Sequence, residues 1–163
     1  MFPKMRRIRQ QMTDDAAVSV LENAKTGILT VAGLNGYPYA VPMNFAYLDG
    51  KIYLHSANTG HKIDAIKGCS KVSFLVIDKD DVIPDKLTTA YRSVVVFGRA
   101  AIMENTDEKL ALVRRFALKY SKNMPAIQAD IDENFSHMAL IEITPEHITG
   151  KEGMEILKAR ENR

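Results

Sequence analysis

The chain has 163 residues, of which 46% are hydrophobic and 26% are charged. This length and composition predict one globular domain with enough apolar residues to bury a core. The formal net charge at pH 7 is only +2 and the two signs are interspersed, which excludes a strongly basic nucleic-acid-binding surface. Arg6, Arg7 and Arg9 form a small basic cluster, which we interpret as solvated.

Cysteine content and hydropathy indicate the compartment. Cys69 is the single cysteine, so the chain has no internal disulfide and no cysteine-rich metal site, and it fits a reducing cytoplasm. No apolar run approaches the roughly 20 residues of a membrane span, and no signal-peptide core follows the basic start. We therefore expect a cytoplasmic protein without a membrane partner. His137 and His147 lack partners at metal-ligand spacing, so no metal site is predicted.

The first third of the chain predicts one helix followed by three antiparallel strands. Thr13 is a typical N-cap before two acidic residues, and the apolar spacing beyond it predicts a helix over about 13–26 that stops at Gly27. Asn35-Gly36 and Asp49-Gly50 are typical of the tight turns that join consecutive strands. The strands predicted around these turns are 28–34, 37–47 and 51–57.

The rest of the chain alternates between helices and strands. The segment 78–90 is charged and contains Pro84, so we predict an irregular excursion there. Gly98 is predicted to be a bulge within a strand. Strands are predicted over 71–77, 91–103 and 138–143, and helices over 61–67, 106–120, a stretch near Pro125 and a tail of about 152–163. Hairpins without parallel crossovers predict a mainly β fold with flanking helices, a six-stranded antiparallel barrel that closes its own edges.

The segment IYLHSANTGHK, from Ile52 to Lys62, has the features of a ligand site. A predicted strand carrying His55 runs through small polar residues into a helix that opens with Gly60-His61-Lys62. The free amides of a helix N-terminus, beside a lysine and hydroxyl groups, suit a bound phosphate. A plain helix cap on the surface has the same pattern, and neither GxxxxGK[ST] nor GxGxxG occurs in the chain.

Four segments in order resemble the FMN-binding split barrels of the pyridoxamine 5′-phosphate oxidase superfamily, and most of all its 5-nitroimidazole reductase, or nitroimidazole-resistance, branch. They are PYAVPMNFAY (38–47), IYLHSANTGHK (52–62), YRSVVVFG (91–98) and TGKEGM (149–154). The similarity covers about residues 6–153. It implies a split β-barrel that forms a homodimer, with FMN in the cleft between the two copies.

The resemblance also implies which residues hold the flavin. Beside the isoalloxazine ring would run Pro42, Met43, Asn44 and Phe45. The ring and the ribityl chain would be lined by His55, Ser56 and Ala57. His61 and Lys62 would match the Arg-Lys pair that grips the phosphate in the oxidases, although a histidine departs from that pair. One barrel wall would contribute Tyr91, Arg92 and Ser93, of which Ser93 is the best match because neighbouring strand residues point to opposite faces.

For activity, the resemblance implies an FMN-dependent oxidoreductase that passes electrons from a reduced nicotinamide donor to a small acceptor, such as a nitroimidazole or another nitro compound. The arginine-containing ending that binds pyridoxal phosphate in the oxidases has no match here, so vitamin B6 oxidation is not expected. His55 would be catalytic, because an imidazole can donate a proton at neutral pH. The alternatives are a structural His55 and a non-catalytic split barrel that binds flavin or haem.

Overall fold

The computed structural model describes residues 2–161, which form one antiparallel sheet with helices around it. The strands are β1 (Thr26–Ala32), β2 (Pro38–Asn44), β3 (Ala46–Leu48), β4 (Lys51–Ala57), β5 (Lys71–Ile83), β6 (Thr88–Ile102) and β7 (Met138–Glu152). The helices are α1 (Asp14–Asn23), α2 (His61–Gly68), α3 (Thr106–Tyr120), α4 (Met124–Asn134) and α5 (Met154–Glu161). A mainly β antiparallel fold with flanking helices is thus confirmed, with seven strands rather than the predicted six.

The seventh strand arises because the predicted strand 37–47 is broken at Phe45. The sheet order is β2-β1-β5-β6-β7-β4-β3, so β2 and β3 lie at its opposite edges although only Phe45 separates them in the chain. At the break, the Phe45 amide is bonded to the Tyr120 hydroxyl at 2.9 Å instead of to a strand partner. The chain therefore leaves β1 and joins β4 at this residue, and the sheet closes upon itself.

The segment 78–90 is not irregular, and this prediction was wrong. β5 and β6 continue as a paired arm as far as Ile83 and Thr88, and a short 3-10 turn over Pro84–Lys86 joins them. Positions 78–82 of the arm are exposed, so charged side chains do not disfavour the strand. Strand pairing, rather than burial, orders this segment.

Two other expectations need correction. β7 runs to Glu152 instead of ending at 143, because its second half pairs with β6 beyond the end of β4. Gly27 does not end α1, which stops at Asn23; it lies inside β1, where a Cβ would overlap the Phe74 ring. The bulge at Gly98 is confirmed, since the pairing of β6 with β7 shifts between Phe97 and Gly98.

Two apolar layers hold the fold together. The barrel interior contains large buried side chains such as Leu29, Phe45 and Phe74. A second layer packs the outer surface of β4 and β7 against α3 and α4, through residues such as Phe116 and Leu140. No helix in the described range is long and apolar enough to cross a membrane.

The outer surface of β1, β5 and β6 has a different character, and we call it the open face. Alternation along the strands and their pairing place one set of side chains there: Ile28, Leu75, Ile77, Val95 and Phe97. Ile77 is 54% exposed and Phe97 is 38% exposed. The fold thus has one outer surface covered by helices and another on which apolar side chains reach solvent.

Candidate functional site

The start of α2, where the sequence predicts a phosphate site, has backbone amides that no side chain caps. Gly60 precedes the helix at φ 115°, and no side chain caps the first amides. In contrast, side chains cap α1, α3 and α4, namely those of Thr13, Asn105 and Asn123. The first turn of α2 therefore keeps backbone donors for another acceptor.

Two cationic or titratable side chains flank this helix start. Lys62 is half-buried and forms no ion pair with any residue of the range 2–161. The exposed His61 ring lies edge-on to Tyr39 of β2, with the ring centroids 4.6 Å apart. Asp64 adds one exposed carboxylate in the first turn. The structure thus places an unpaired lysine at a helix start that lies beside β2.

Only some of the predicted flavin-binding residues in and after β2 have side chains that face outward. Exposure alternates along the strand, so Pro42 and Asn44 are exposed whereas Met43 packs against the barrel interior. Phe45 is fully buried, and its amide and carbonyl already bond to Tyr120 at 2.9 and 2.6 Å. Pro42 and Asn44 are therefore the side chains of this segment that face outward, where a ligand can reach them.

His55 lies where β4 faces the two outer helices. Its strand partner in β7 is the buried Leu140, and the edge of its ring meets Phe116 of α3 with the centroids 4.9 Å apart. Asn44 and His55 line one cavity of about 370 Å³. The other residues around this cavity are Val113, Phe116, Ala117, Tyr120, Ser121, Ala126, Ile127, Asp130, Met138 and Leu140.

A second, more polar cleft also borders His55. Its volume is about 290 Å³, and Ser56 and Ala57 line it together with His55. Asp130 and Met138 also border both spaces. His55, Ser56 and Ala57 thus line one cleft, and the imidazole borders both this polar cleft and the apolar cavity.

The surroundings of His55 favour its neutral form. His55 is exposed, but its contacts with the protein remove water from part of the ring, and this desolvation lowers the pKa of His55 below its usual 6.5, while the Asp130 carboxylate opposes the change. A neutral imidazole carries one donor and one acceptor nitrogen. His55 can therefore accept a proton on one side and release one on the other.

The three residues of β6 that were predicted to contact the flavin lie on opposite faces of the strand. Tyr91 and Ser93 lie on the side of the open face, and Ser93 is paired with Ile77 and Lys151. Arg92 points the other way and forms ion pairs with Asp78 at 3.3 Å and Glu152 at 3.5 Å. None of these β6 residues borders the cavity of Asn44 and His55, and the charge of Arg92 is already compensated.

Sequence reasoning missed the contribution of α3. The Tyr120 hydroxyl lies 2.6 Å from the carbonyl oxygens of both Lys25 and Phe45, and the Lys119 amine donates to Ala24 and Phe45 carbonyls at 2.6 and 3.1 Å. Burial raises the pKa of Tyr120 and lowers the pKa of Lys119. These contacts span more than 70 positions of sequence, so no local motif could reveal that α3 holds the break next to Asn44.

The fold and the site define a split-barrel protein whose outer helices enclose a cavity against one edge of the sheet. The model of the pyridoxamine 5′-phosphate oxidase family matches residues 13–152, and the chain belongs to that family. No match was found among curated proteins.

Solved structures share the fold at low sequence identity. A protein of Bacteroides thetaiotaomicron, provisionally described as a 5-nitroimidazole antibiotic resistance protein, is 23% identical with a TM-score of 0.71, over 86% of this chain and 85% of that one. An FAD-binding protein of Mesorhizobium loti is 23% identical with a TM-score of 0.66, over 88% and 96%. An FAD- and haem-binding protein of Mycobacterium smegmatis is 15% identical with a TM-score of 0.73, over 88% and 73%. At these identities the likeness shows the fold alone.

Proposed function

We propose that this protein is an FMN-dependent oxidoreductase that reduces a small acceptor, such as a nitroimidazole or another nitro compound, with electrons from a reduced nicotinamide donor. The observation that carries the proposal is that His55 borders both the polar cleft and the apolar cavity. Family membership and the structural likeness to a nitroimidazole resistance protein and to flavin-binding proteins support it. The single cysteine supports a cytoplasmic location.

The residues around α2 fit the phosphate of FMN. Lys62 supplies an unpaired cation, and the uncapped first turn supplies amide donors. Ser56 and Ala57 would lie along the ribityl chain and Pro42 and Asn44 near the ring, whereas the buried Phe45 and the ion-paired Arg92 take no direct part. Because one lysine at one helix start suits a single terminal phosphate, we favour FMN over FAD.

Bound FMN would supply the electron transfer between donor and acceptor. His55 would orient the acceptor through one ring nitrogen and replace the proton it gives from solvent in the polar cleft. Asn44 would hydrogen-bond a polar edge of the acceptor or of the ring. The apolar residues of α3 and α4 would keep water away from that reaction.

We further propose that two copies form a homodimer through the open face. Large apolar side chains such as Ile77 and Phe97 are exposed there. β1 and β5 separate Ser93 in β6 from Pro42 in β2, and three strand spacings amount to about 14 Å. This separation is too large for Ser93 and Pro42 of one chain to contact the same flavin ring. A partner related by a twofold axis would bring its own copy of Ser93 to that ring.

The alternative is a flavin- or haem-binding protein without catalysis. One specific observation favours it, since a structural neighbour binds both FAD and haem. His55 borders an open cleft, so its imidazole is accessible to a large planar ligand. The absorption spectrum of the purified protein separates the candidates, because flavin absorbs in the blue and haem gives a Soret band.

The proposed function is tested by loading the protein with FMN, reducing it without oxygen, and mixing it with a nitro acceptor. We expect the flavin band to return much faster than in free reduced FMN at the same concentration. Re-oxidation at the rate of free FMN would leave only the binding role, and failure to bind FMN would refute the proposal.

A further inference from the structure

The cavity beside His55 is suited to a particular class of ligand. Most of its wall is apolar and comes from α3, α4 and β7, including Val113, Ile127 and Leu140. These three side chains are almost completely buried, so the cavity wall continues the second apolar layer of the fold. A ligand inside the cavity would replace water against hydrocarbon, which favours an apolar body.

The shape of the wall favours a flat ligand. Three rings of the lining are in contact: Phe116 stacks on Tyr120 with the centroids 5.3 Å apart, and the edge of His55 meets Phe116 at 4.9 Å. The volume of about 370 Å³ lies near the lower end of the range for small-molecule sites, roughly 300–1,000 Å³. One aromatic or heteroaromatic ring with short substituents can stack along this wall.

The charge of the lining selects against anions. In the described part of the chain, the cavity is bordered by no lysine or arginine, and its one ionisable carboxylate is Asp130. A bound anion would lose its hydration without gaining a positive partner, and Asp130 would repel it. The unpaired Lys62 at the start of α2 does not border this cavity.

The polar groups of the cavity also indicate an orientation. Asn44 and His55 are the polar side chains that the sheet contributes to the lining, whereas α3 and α4 contribute buried carbon side chains such as Val113 and Ile127. We propose that this cavity binds the acceptor, and that the acceptor is a small uncharged aromatic ring whose reducible substituent points to Asn44 and His55. This inference rests on the proposed function of the same site, but its ligand selectivity can be tested without any electron transfer.

Calorimetric titration of the full chain, with and without FMN, tests the selectivity. The probes are 4-nitrobenzyl alcohol, which is neutral, and 4-nitrobenzoate, which has the same ring and a negative charge. We expect the neutral probe to bind in both states and the anion to bind at least about tenfold more weakly. Equal affinity for the two probes, or no binding of the neutral probe, would overturn the proposal.

Cavity-filling variants locate the binding site. Ala117→Leu places extra carbons in the cavity and should weaken the binding of the neutral probe by about tenfold or more. Ala126→Leu, at an exposed position of the lining, gives the same test if Ala117→Leu does not fold. Ala111→Leu is the matched control, because Ala111 is exposed on the same helix outside the cavity. Unchanged binding to a folded cavity-filling variant would place the probe elsewhere.

The role of Asp130 has its own test. Asp130→Asn should bring the affinity for 4-nitrobenzoate closer to that for the neutral probe, whereas Asp132→Asn, on the same helix but outside the cavity, should not. If FMN competes with the neutral probe, the cavity belongs to the flavin and the inference is wrong. If the probe binds selectively but FMN does not bind at all, the cavity inference stands and the proposed function fails.

Discussion

Replacing Tyr120 with Phe removes one hydroxyl that holds the break between β2 and β3. The Phe45 amide donates to this hydroxyl at 2.9 Å, and the hydroxyl oxygen lies 2.6 Å from the carbonyl oxygens of Lys25 and Phe45. The Phe45 amide has one other acceptor, the Lys25 carbonyl, at a long 3.4 Å. The variant therefore leaves a backbone donor poorly satisfied next to a fully buried side chain.

The expected loss follows from the cost of such a donor. A buried group without its partner costs about 1–3 kcal/mol, and we expect Tyr120→Phe to lower the free energy of unfolding by that amount. Losing the contact between the hydroxyl and the Phe45 carbonyl should add little to this cost, because Lys119 still donates to that carbonyl at 3.1 Å. Asn44 directly precedes the break and lines the cavity, so the affinity of the cavity for a neutral ring should fall as well.

Urea denaturation of the parent and the variant measures this loss. Tyr37→Phe is the matched control, since Tyr37 is 75% exposed and its hydroxyl makes no hydrogen bond within residues 2–161. The control should change the free energy of unfolding by less than about 0.5 kcal/mol. A Tyr120→Phe protein as stable as the control would refute the claim that the hydroxyl holds the break.

Three further predictions concern the cofactor, the protonation of His55 and the assembly. In a flavin titration, Lys62→Ala should weaken the binding of FMN roughly 10- to 100-fold and leave the binding of riboflavin, which lacks the phosphate, almost unaffected. Lys67→Ala at the other end of α2 is the control, and equal losses of affinity for both ligands would mean that Lys62 supports the fold and not the phosphate. The lowered pKa of His55 means that the unfolded chain binds more protons than the folded one just below pH 6.5, so the free energy of unfolding should decrease as the pH is lowered through that range. In urea denaturation at a series of pH values, the free energy of unfolding of His55→Asn should decrease less steeply on acidification, and identical slopes for parent and variant would contradict this. Light scattering should show that Ile77→Glu converts the dimer into a monomer, whereas Val82→Glu on the exposed arm should not. A parent protein that is monomeric with FMN bound would exclude the dimer.

The sequence was sufficient to predict the fold class because its signals are local. The tight turn at Asp49-Gly50 forms with both residues at positive φ, as such a pair predicts, and the N-cap at Thr13 and the bulge at Gly98 are also confirmed. The arm over 78–90 was mistaken because charge and proline usually indicate a loop, whereas here two exposed strands pair with each other.

The candidate site was predictable only in part. His55 and Asn44 follow from segment resemblance, but Asp130 and Tyr120 reach the same cavity from helices far along the chain. The inward direction of Phe45 depends on a break in the strand, which in turn depends on contacts with Lys119 and Tyr120. Such long-range contacts leave no pattern in the neighbouring sequence.

The measurement that tests the central claim most directly compares the parent with His55→Ala in anaerobic rapid mixing. Both proteins are loaded with FMN, reduced, and mixed with a neutral nitroaromatic acceptor while the flavin band is followed. If His55 acts on the acceptor side, the variant keeps FMN bound and reducible but is re-oxidised at least about tenfold more slowly, within the range of general acid catalysis. Equal rates for the two proteins would contradict the catalytic role, and loss of FMN from the variant would assign His55 to the cofactor site instead.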